Sequence, residues 1–172
     1  MKKATSNMHD EIKKGASLVA ALLAAAGVSS CAHAPANESI ARTGPVYVNA
    51  KTTPPLGSYS SAVRVGDLVF ISGVLAFDHD TKSFAAPEIG AQTRKAFDNL
   101  EAALTAAGTG LDDVVKISVY LRDAADIAAM NAIYEERVIG GRPARTLVSG
   151  ADWGREEILI EIDAIAYCGH CE

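Results

Sequence analysis

The chain lacks any apolar run of the roughly 20 residues that a membrane-spanning helix needs; its most apolar stretch, Gly15 to Ser30, is too short. It also lacks a self-similar period, a heptad run and any low-complexity tract beyond an alanine-rich start, which excludes repeat, fibrous and coiled-coil architectures. Basic residues are in deficit, with 16 Lys and Arg against 21 Asp and Glu. Four of those basic and two of those acidic residues precede Cys31, so the chain from Cys31 onward carries 12 against 19. A protein that grips phosphates needs a basic stripe that releases counterions, and none is visible, so nucleic acid is not expected as a partner. Cysteine is scarce, with only Cys31, Cys168 and Cys171.

What is present is an ordinary globular composition, 49% hydrophobic and 22% charged, in 172 residues, enough for one domain behind a leader. The leader is residues 1–30: lysines at positions 2, 3, 13 and 14, then the run containing Leu18, Val19, Leu22 and Leu23, then small residues. That order is the order of a secretory signal. Val28-Ser29-Ser30-Cys31 resembles a bacterial lipobox, in which the cysteine is acylated and becomes the new N-terminus. The resemblance implies that Cys31 is lipidated and that the protein meets a membrane only through this anchor. With Ala32 after the cysteine, it implies a periplasmic lipoprotein on the outer membrane. The other reading is an alanine-rich tail with a chance cysteine. Residues 31–53, rich in Ala, Pro, Asn, Ser and Thr, are expected to be a flexible tether.

From Tyr59 onward the pattern resolves into elements. Ala62 to Val65 and Leu68 to Ser72 read as two strands joined at Gly66-Asp67. Pro87 and Glu88 open a helix with Ile89, Ala96, Phe97, Leu100, Ala103, Leu104 and Ala107 on one face, stopped by Gly108. Val114 to Leu121 is a strand. Asp123 or Asp126 caps a second helix bearing Ile127, Met130, Tyr134 and Val138 and ending at Gly140-Gly141. Two more strands follow, Ala144 to Val148 and Ile158 to Ala166. The order ββ-α-β-α-ββ predicts an α+β fold, with helices on one face of a mixed sheet. The other face also carries apolar residues and is expected to pack on further copies of the chain.

Several spaced motifs together resemble the Rid (YjgF) family of reactive-intermediate and imine deaminases. They are Leu56-Gly57-Ser58-Tyr59-Ser60-Ser61-Ala62-Val63, Ile71-Ser72-Gly73, Asp112-Asp113-Val114-Val115-Lys116, Met130-Asn131-Ala132-Ile133-Tyr134, Arg142-Pro143-Ala144-Arg145 and Ile160-Glu161-Ile162-Asp163-Ala164. The resemblance spans residues 54–167, which would be the domain, with 168–172 as a short tail. It implies a chorismate-mutase-like fold, a homotrimer with active sites between subunits, hydrolysis of 2-imino acids to 2-oxo acids and ammonia, and no metal or organic cofactor. A non-catalytic module that binds small carboxylates in the same cleft is the alternative; endoribonuclease activity, a label sometimes attached to the family, runs against the acidic balance.

Carried onto this chain, the resemblance makes Arg145 the carboxylate-binding fork, suited to two parallel hydrogen bonds. It makes Glu161 the group that orients the hydrolytic water, and Tyr59 a wall of the cleft. Glu161 lies among Ile158, Leu159, Ile160 and Ile162, so a sheltered, paired carboxylate is expected. Ser72 and Gly73 suit a strand end that a ligand approaches closely, because Gly73 has no Cβ. Asn131 and Tyr134 are either cleft lining or subunit contacts. Leu147 stands where relatives often carry cysteine and would act through its backbone carbonyl. Val74-Leu75-Ala76 departs from the Gln, hydrophobic, Pro run usual after Ser-Gly. Cys168-Gly169-His170-Cys171 is an addition, expected to hold a disulfide or spare thiols. Zinc would need further ligands, which the sequence beyond the leader offers as His170, His79 and His33.

Overall fold

The computed structural model describes residues 44–169. The expected leader, Cys31, most of the tether, His170 and Cys171 lie outside the described residues. The strands are β1 (Val46–Val48), β2 (Ala62–Val65), β3 (Leu68–Leu75), β4 (Phe77–Asp78), β5 (Ser83–Phe84), β6 (Val114–Leu121), β7 (Ala144–Ser149) and β8 (Ile160–Tyr167). The helices are α1 (Ile89–Ala106) and α2 (Ile127–Arg137). Six strands form one mixed sheet in the order β1-β2-β3-β8-β6-β7, in which only β6 and β7 are parallel; β4 and β5 make a separate small hairpin. A parallel pair needs a crossover connection, and α2 supplies it between β6 and β7.

Local chemistry accounts for the boundaries. The two-residue turn between β2 and β3 uses Gly66 at φ 57°, a conformation that costs a residue without Cβ little. Helix α1 starts at Glu88, whose carboxylate accepts from the Gly90 and Ala91 amides at 2.9 and 2.8 Å; these bonds hold its pKa below the usual glutamate range. Of the two aspartates able to cap the next helical segment, Asp123 does so, accepting from the Ala125 amide at 2.8 Å in a short 3-10 turn before α2; Asp126 makes no capping bond. Helix α2 ends at Arg137, short of the Gly140-Gly141 pair.

Phe97, Leu100 and Leu104 of α1 and Met130 of α2 bury fully against Val69, Ile117, Val119, Leu121, Ile160 and Ile162. Two polar side chains are buried in that core because they fasten strand ends near the site. Gln92 donates to Glu157 O at 2.6 Å and accepts from Leu159 N at 3.0 Å, tying the start of β8 to α1. Asn99 donates to Leu75 O and Phe77 O, each at 2.8 Å, and does the same for the end of β3. Buried polar groups persist only when paired in this way.

Two boundaries differ from expectation. The last part of the expected tether carries β1, which pairs with β2, while Ala50 is buried and its amide donates to Ser61 Oγ at 3.1 Å. An edge strand of three residues leaves almost no periodic signature. Strand β8 begins at Ile160, because Leu159 N goes to Gln92. The face away from the helices exposes Tyr47, Val65, Leu68, Phe70 and Tyr167, which register on one another or on close neighbours across β1, β2, β3 and β8.

Candidate active site

Strand β7 places Arg145 at the edge of the sheet. Its Nη1 donates to Asn131 Oδ1 at 2.8 Å, and its guanidinium lies 4.8 Å from the centre of the Tyr134 ring. Asn131 and Tyr134 are one turn apart on α2, so one helix face holds the fork from the side and from below. The Tyr134 ring is in turn fixed edge-to-face on Phe97 at 5.9 Å. Burial pushes the Tyr134 phenol up, with the Arg145 and Arg142 charges opposing that shift. A cavity of about 510 Å³ opens here, lined by Asn131, Tyr134, Glu135, Val138, Arg142, Pro143 and Arg145. Among the described residues no carboxylate forms an ion pair with Arg145, so the rest of its fork is available to a bound acid.

Glu161 occupies the opposite face. Ile160 and Ile162 on either side of it are fully buried against the helices, so Glu161 points the other way and is half-buried. The apolar residues flanking it in sequence therefore do not surround it in space. It is nevertheless paired, because its Oε2 accepts from the indole N–H of Trp153. Its neighbours on that face are Tyr120 and Asp163, joined by a hydrogen bond of 3.0 Å that raises the Tyr120 phenol.

Gly73 sits in a bulge of β3, where the register between Ile71/Ala164 and Val74/Ile162 leaves Ser72 and Gly73 together opposite Asp163. A Cβ on Gly73 would lie 1.7 Å from Glu161 Oε1, so the carboxylate occupies the space that only glycine leaves open. Ser72 Oγ donates to Ser60 O at 2.7 Å and Ser72 N to Ser61 O at 3.1 Å. Tyr59 is half-exposed and folds back on its own loop, its hydroxyl accepting from Leu56 N at 3.2 Å. Tyr59, Ser72 and Gly73 share a narrow cavity wall.

The predicted residues thus fall into two groups. Arg145, Asn131 and Tyr134 meet on the helix side of the sheet edge; Glu161 meets Gly73 on the open side, while Tyr59 and Ser72 share with Gly73 a cavity that reaches Asn99 and Ala103 of α1 and does not include Glu161. Arg145 registers on the buried Ile117 and Glu161 on Tyr120, residues of opposite parity in β6, so one chain does not bring fork and carboxylate to a common ligand. The side chain of Leu147 packs against the core and not into the Arg145 cavity, which leaves only its main chain for a ligand. Cys168 is buried and disulfide-bonded, and Cys171 is outside the described residues. His79, in the turn of the β4–β5 hairpin, lies edge-to-face on Phe77 at 5.1 Å. Trp153 and the buried pair Gln92 and Asn99 carried no sequence signal, because their hydrogen bonds follow from no local periodicity and depend on how the chain packs.

The sequence profile of the endoribonuclease L-PSP family matches residues 50–168. The chain belongs to this family, which is also the Rid/YjgF and RutC family. A RutC family protein of Pyrococcus horikoshii is 42% identical over 113 residues, 66% of this chain and 89% of the relative. The 3-aminoacrylate deaminase RutC of Acinetobacter baylyi is 34% identical, covering 67% and 91%. A 2-iminobutanoate/2-iminopropanoate deaminase of Dermatophagoides farinae is 32% identical, covering 64% and 86%. Among solved L-PSP folds, RidA from an Antarctic Psychrobacter superposes with a TM-score of 0.63 at 37% identity, over 69% of this chain and 95% of that one. The family thus includes imine and enamine deaminases, and the sheet with two helices on one face is its fold.

Proposed function

We propose that this L-PSP family member hydrolyses small 2-imino or enamino acids to 2-oxo acids and ammonia, in a site built by two neighbouring copies of the chain. The observation that carries the proposal is the Arg145 fork, held by Asn131 and Tyr134 yet paired with no acid among the described residues, on the face opposite the carboxylate that would act with it. A second copy that brought its open face to the edge strand β7 would complete the site. The exposed apolar residues of that face give it a reason to associate, and a closed trimer would use each face and each edge once.

Arg145 would bind the substrate carboxylate through two N–H bonds, placing the imine carbon beside Glu161 of the neighbour. Water adds to that carbon while Glu161 takes its proton. The same proton passes to the nitrogen of the carbinolamine formed from the protonated imine; as the C–N bond breaks with its electron pair going to nitrogen, the hydroxyl gives its remaining proton to Glu161, so ammonia leaves and a 2-oxo acid remains. Tyr59 would wall the substrate, and Gly73 would admit it close to the main chain. Neither step needs a cofactor, because the imine carbon is already electrophilic.

The test is release of 2-oxo acid from 2-iminopropanoate or 2-iminobutanoate generated in situ by the chain lacking residues 1–31. Arg145→Ala and Glu161→Gln are each expected to abolish it, and Arg145→Lys to restore little, since lysine cannot present a planar fork. Mixing the two inactive variants through refolding should recover roughly a quarter of the sites in a randomly reassorted ring, because some sites then draw both intact residues from different copies. Binding of 2-oxo acids without turnover would make the protein a carboxylate-binding module; no recovery on mixing would refute the shared site. We further propose that Cys31 is acylated after export, which a mass spectrum of its peptide tests.

A further inference from the structure

The chain has one tryptophan, Trp153, in the loop between β7 and β8. That loop is tightly held. Gly150 and Gly154 adopt φ 85° and 68°, and Ala151 N donates to Leu121 O at 3.0 Å. Arg122 closes it from the other side: its Nε donates to Ile158 O at 2.8 Å, its Nη2 to Arg155 O at 2.6 Å, and its Nη1 pairs with Asp152 at 3.5 Å. The same guanidinium lies 5.8 Å from the centre of the Trp153 ring. The indole therefore has its ring fixed by Arg122, and its N–H, a donor with no acceptor capacity, is aimed at Glu161.

Glu161 is gripped from two sides. Its Oε2 takes the Trp153 N–H, while its Oε1 lies in the space left by the missing Cβ of Gly73. Beside it is a cavity of about 220 Å³ lined by Tyr120, Ala151, Asp152, Trp153 and Asp163, into which an untethered glutamate could rotate. Asp163, the other carboxylate on this stretch of β8, is held by Tyr120, so Glu161 alone answers to the indole.

We propose that Trp153 is a positioning residue for the hydrolytic step: it holds Oε2 so that Oε1 alone, at Gly73, receives the water. This rests on the deaminase reading given above. Trp153→Phe leaves a smaller aromatic ring facing Arg122 and removes the N–H. It is expected to lower kcat about 10- to 100-fold with KM changed less than about 2-fold, since a carboxylate displaced by an ångström loses the attack geometry while Arg145 still binds the substrate.

An unchanged kcat in Trp153→Phe, or a loss carried by KM with kcat intact, would overturn the proposal. A readout independent of turnover comes from the indole itself, since no other tryptophan emits. Glu161→Ala should shift its emission maximum and raise its quenching by acrylamide, and a spectrum identical to that of the unsubstituted protein would show that the contact does not form. This signal also covers the case in which Trp153→Phe fails to fold. Absence of turnover by the unsubstituted protein would overturn the deaminase reading, and the catalytic role of Trp153 with it, while the emission result still decides whether the indole grips Glu161.

Discussion

Replacing Gly73 by alanine puts the proposed chemistry under the most direct strain. The new Cβ would stand 1.7 Å from Glu161 Oε1 and 2.7 Å from its carboxyl carbon, whereas ordinary contact starts at 3.4 Å. The carboxylate oxygen must therefore double its separation, a retreat of well over an ångström. The backbone itself can accept alanine, because Gly73 is not among the glycines with positive φ. The cost to folding is confined to the lost indole–carboxylate bond, about 1 kcal/mol for a half-exposed pair and a few degrees in Tm. The cost to the reaction is larger: a misplacement of about 1 Å at a reacting group is worth roughly 100-fold in rate. Gly73→Ala should thus keep its fold by circular dichroism, keep KM within about 3-fold, and lose about two orders of magnitude in kcat for the imine substrates. A variant with near-native kcat would refute the claim that Oε1 acts from the space beside Gly73.

Three further outcomes follow from the same geometry. Asn131→Ala removes the 2.8 Å tether of Arg145 and should raise KM by about 2- to 10-fold with kcat nearly unchanged, measured in the same assay. Phe97→Ala empties a fully buried site beneath Tyr134 and should cost about 3–5 kcal/mol in urea unfolding. Asp78 is lowered from 3.8 to about 2, first by the Thr81 amide and then by Lys95. A depressed carboxyl stabilises the fold above its unfolded value and loses that contribution as pH falls from 3.8 toward 2, so the β4–β5 hairpin should loosen in that window. Amide exchange at Asp80 and Thr81 reads this, and protection that is unchanged across the window would contradict it.

Much of the fold was legible because its signals are local. The alternation of Ile158, Ile160 and Ile162 against Glu161 and Asp163, the glycine turn at 66 and the apolar stripe of α1 each depend on neighbours within a few residues. The strand β1 was not legible, since three residues carry too little pattern, and neither were the buried Gln92 and Asn99, each of which reaches partners 22 to 67 residues away. The expectation that Glu161 is enclosed by its apolar neighbours failed for a simple reason: in a strand, residues adjacent in sequence face opposite ways.

By itself, then, the amino-acid order determined the longer elements, the family and the chemical types available: a fork at Arg145, a carboxylate at Glu161, a missing Cβ at Gly73. Only the tertiary structure decided their relations. It put fork and carboxylate on opposite faces of one sheet, brought Glu161 into the gap at Gly73, and aimed Trp153 at its other oxygen. Parity along a strand is written in a handful of residues, but which strand lies beside which, and so what each side chain finally meets, is settled by packing across the whole chain.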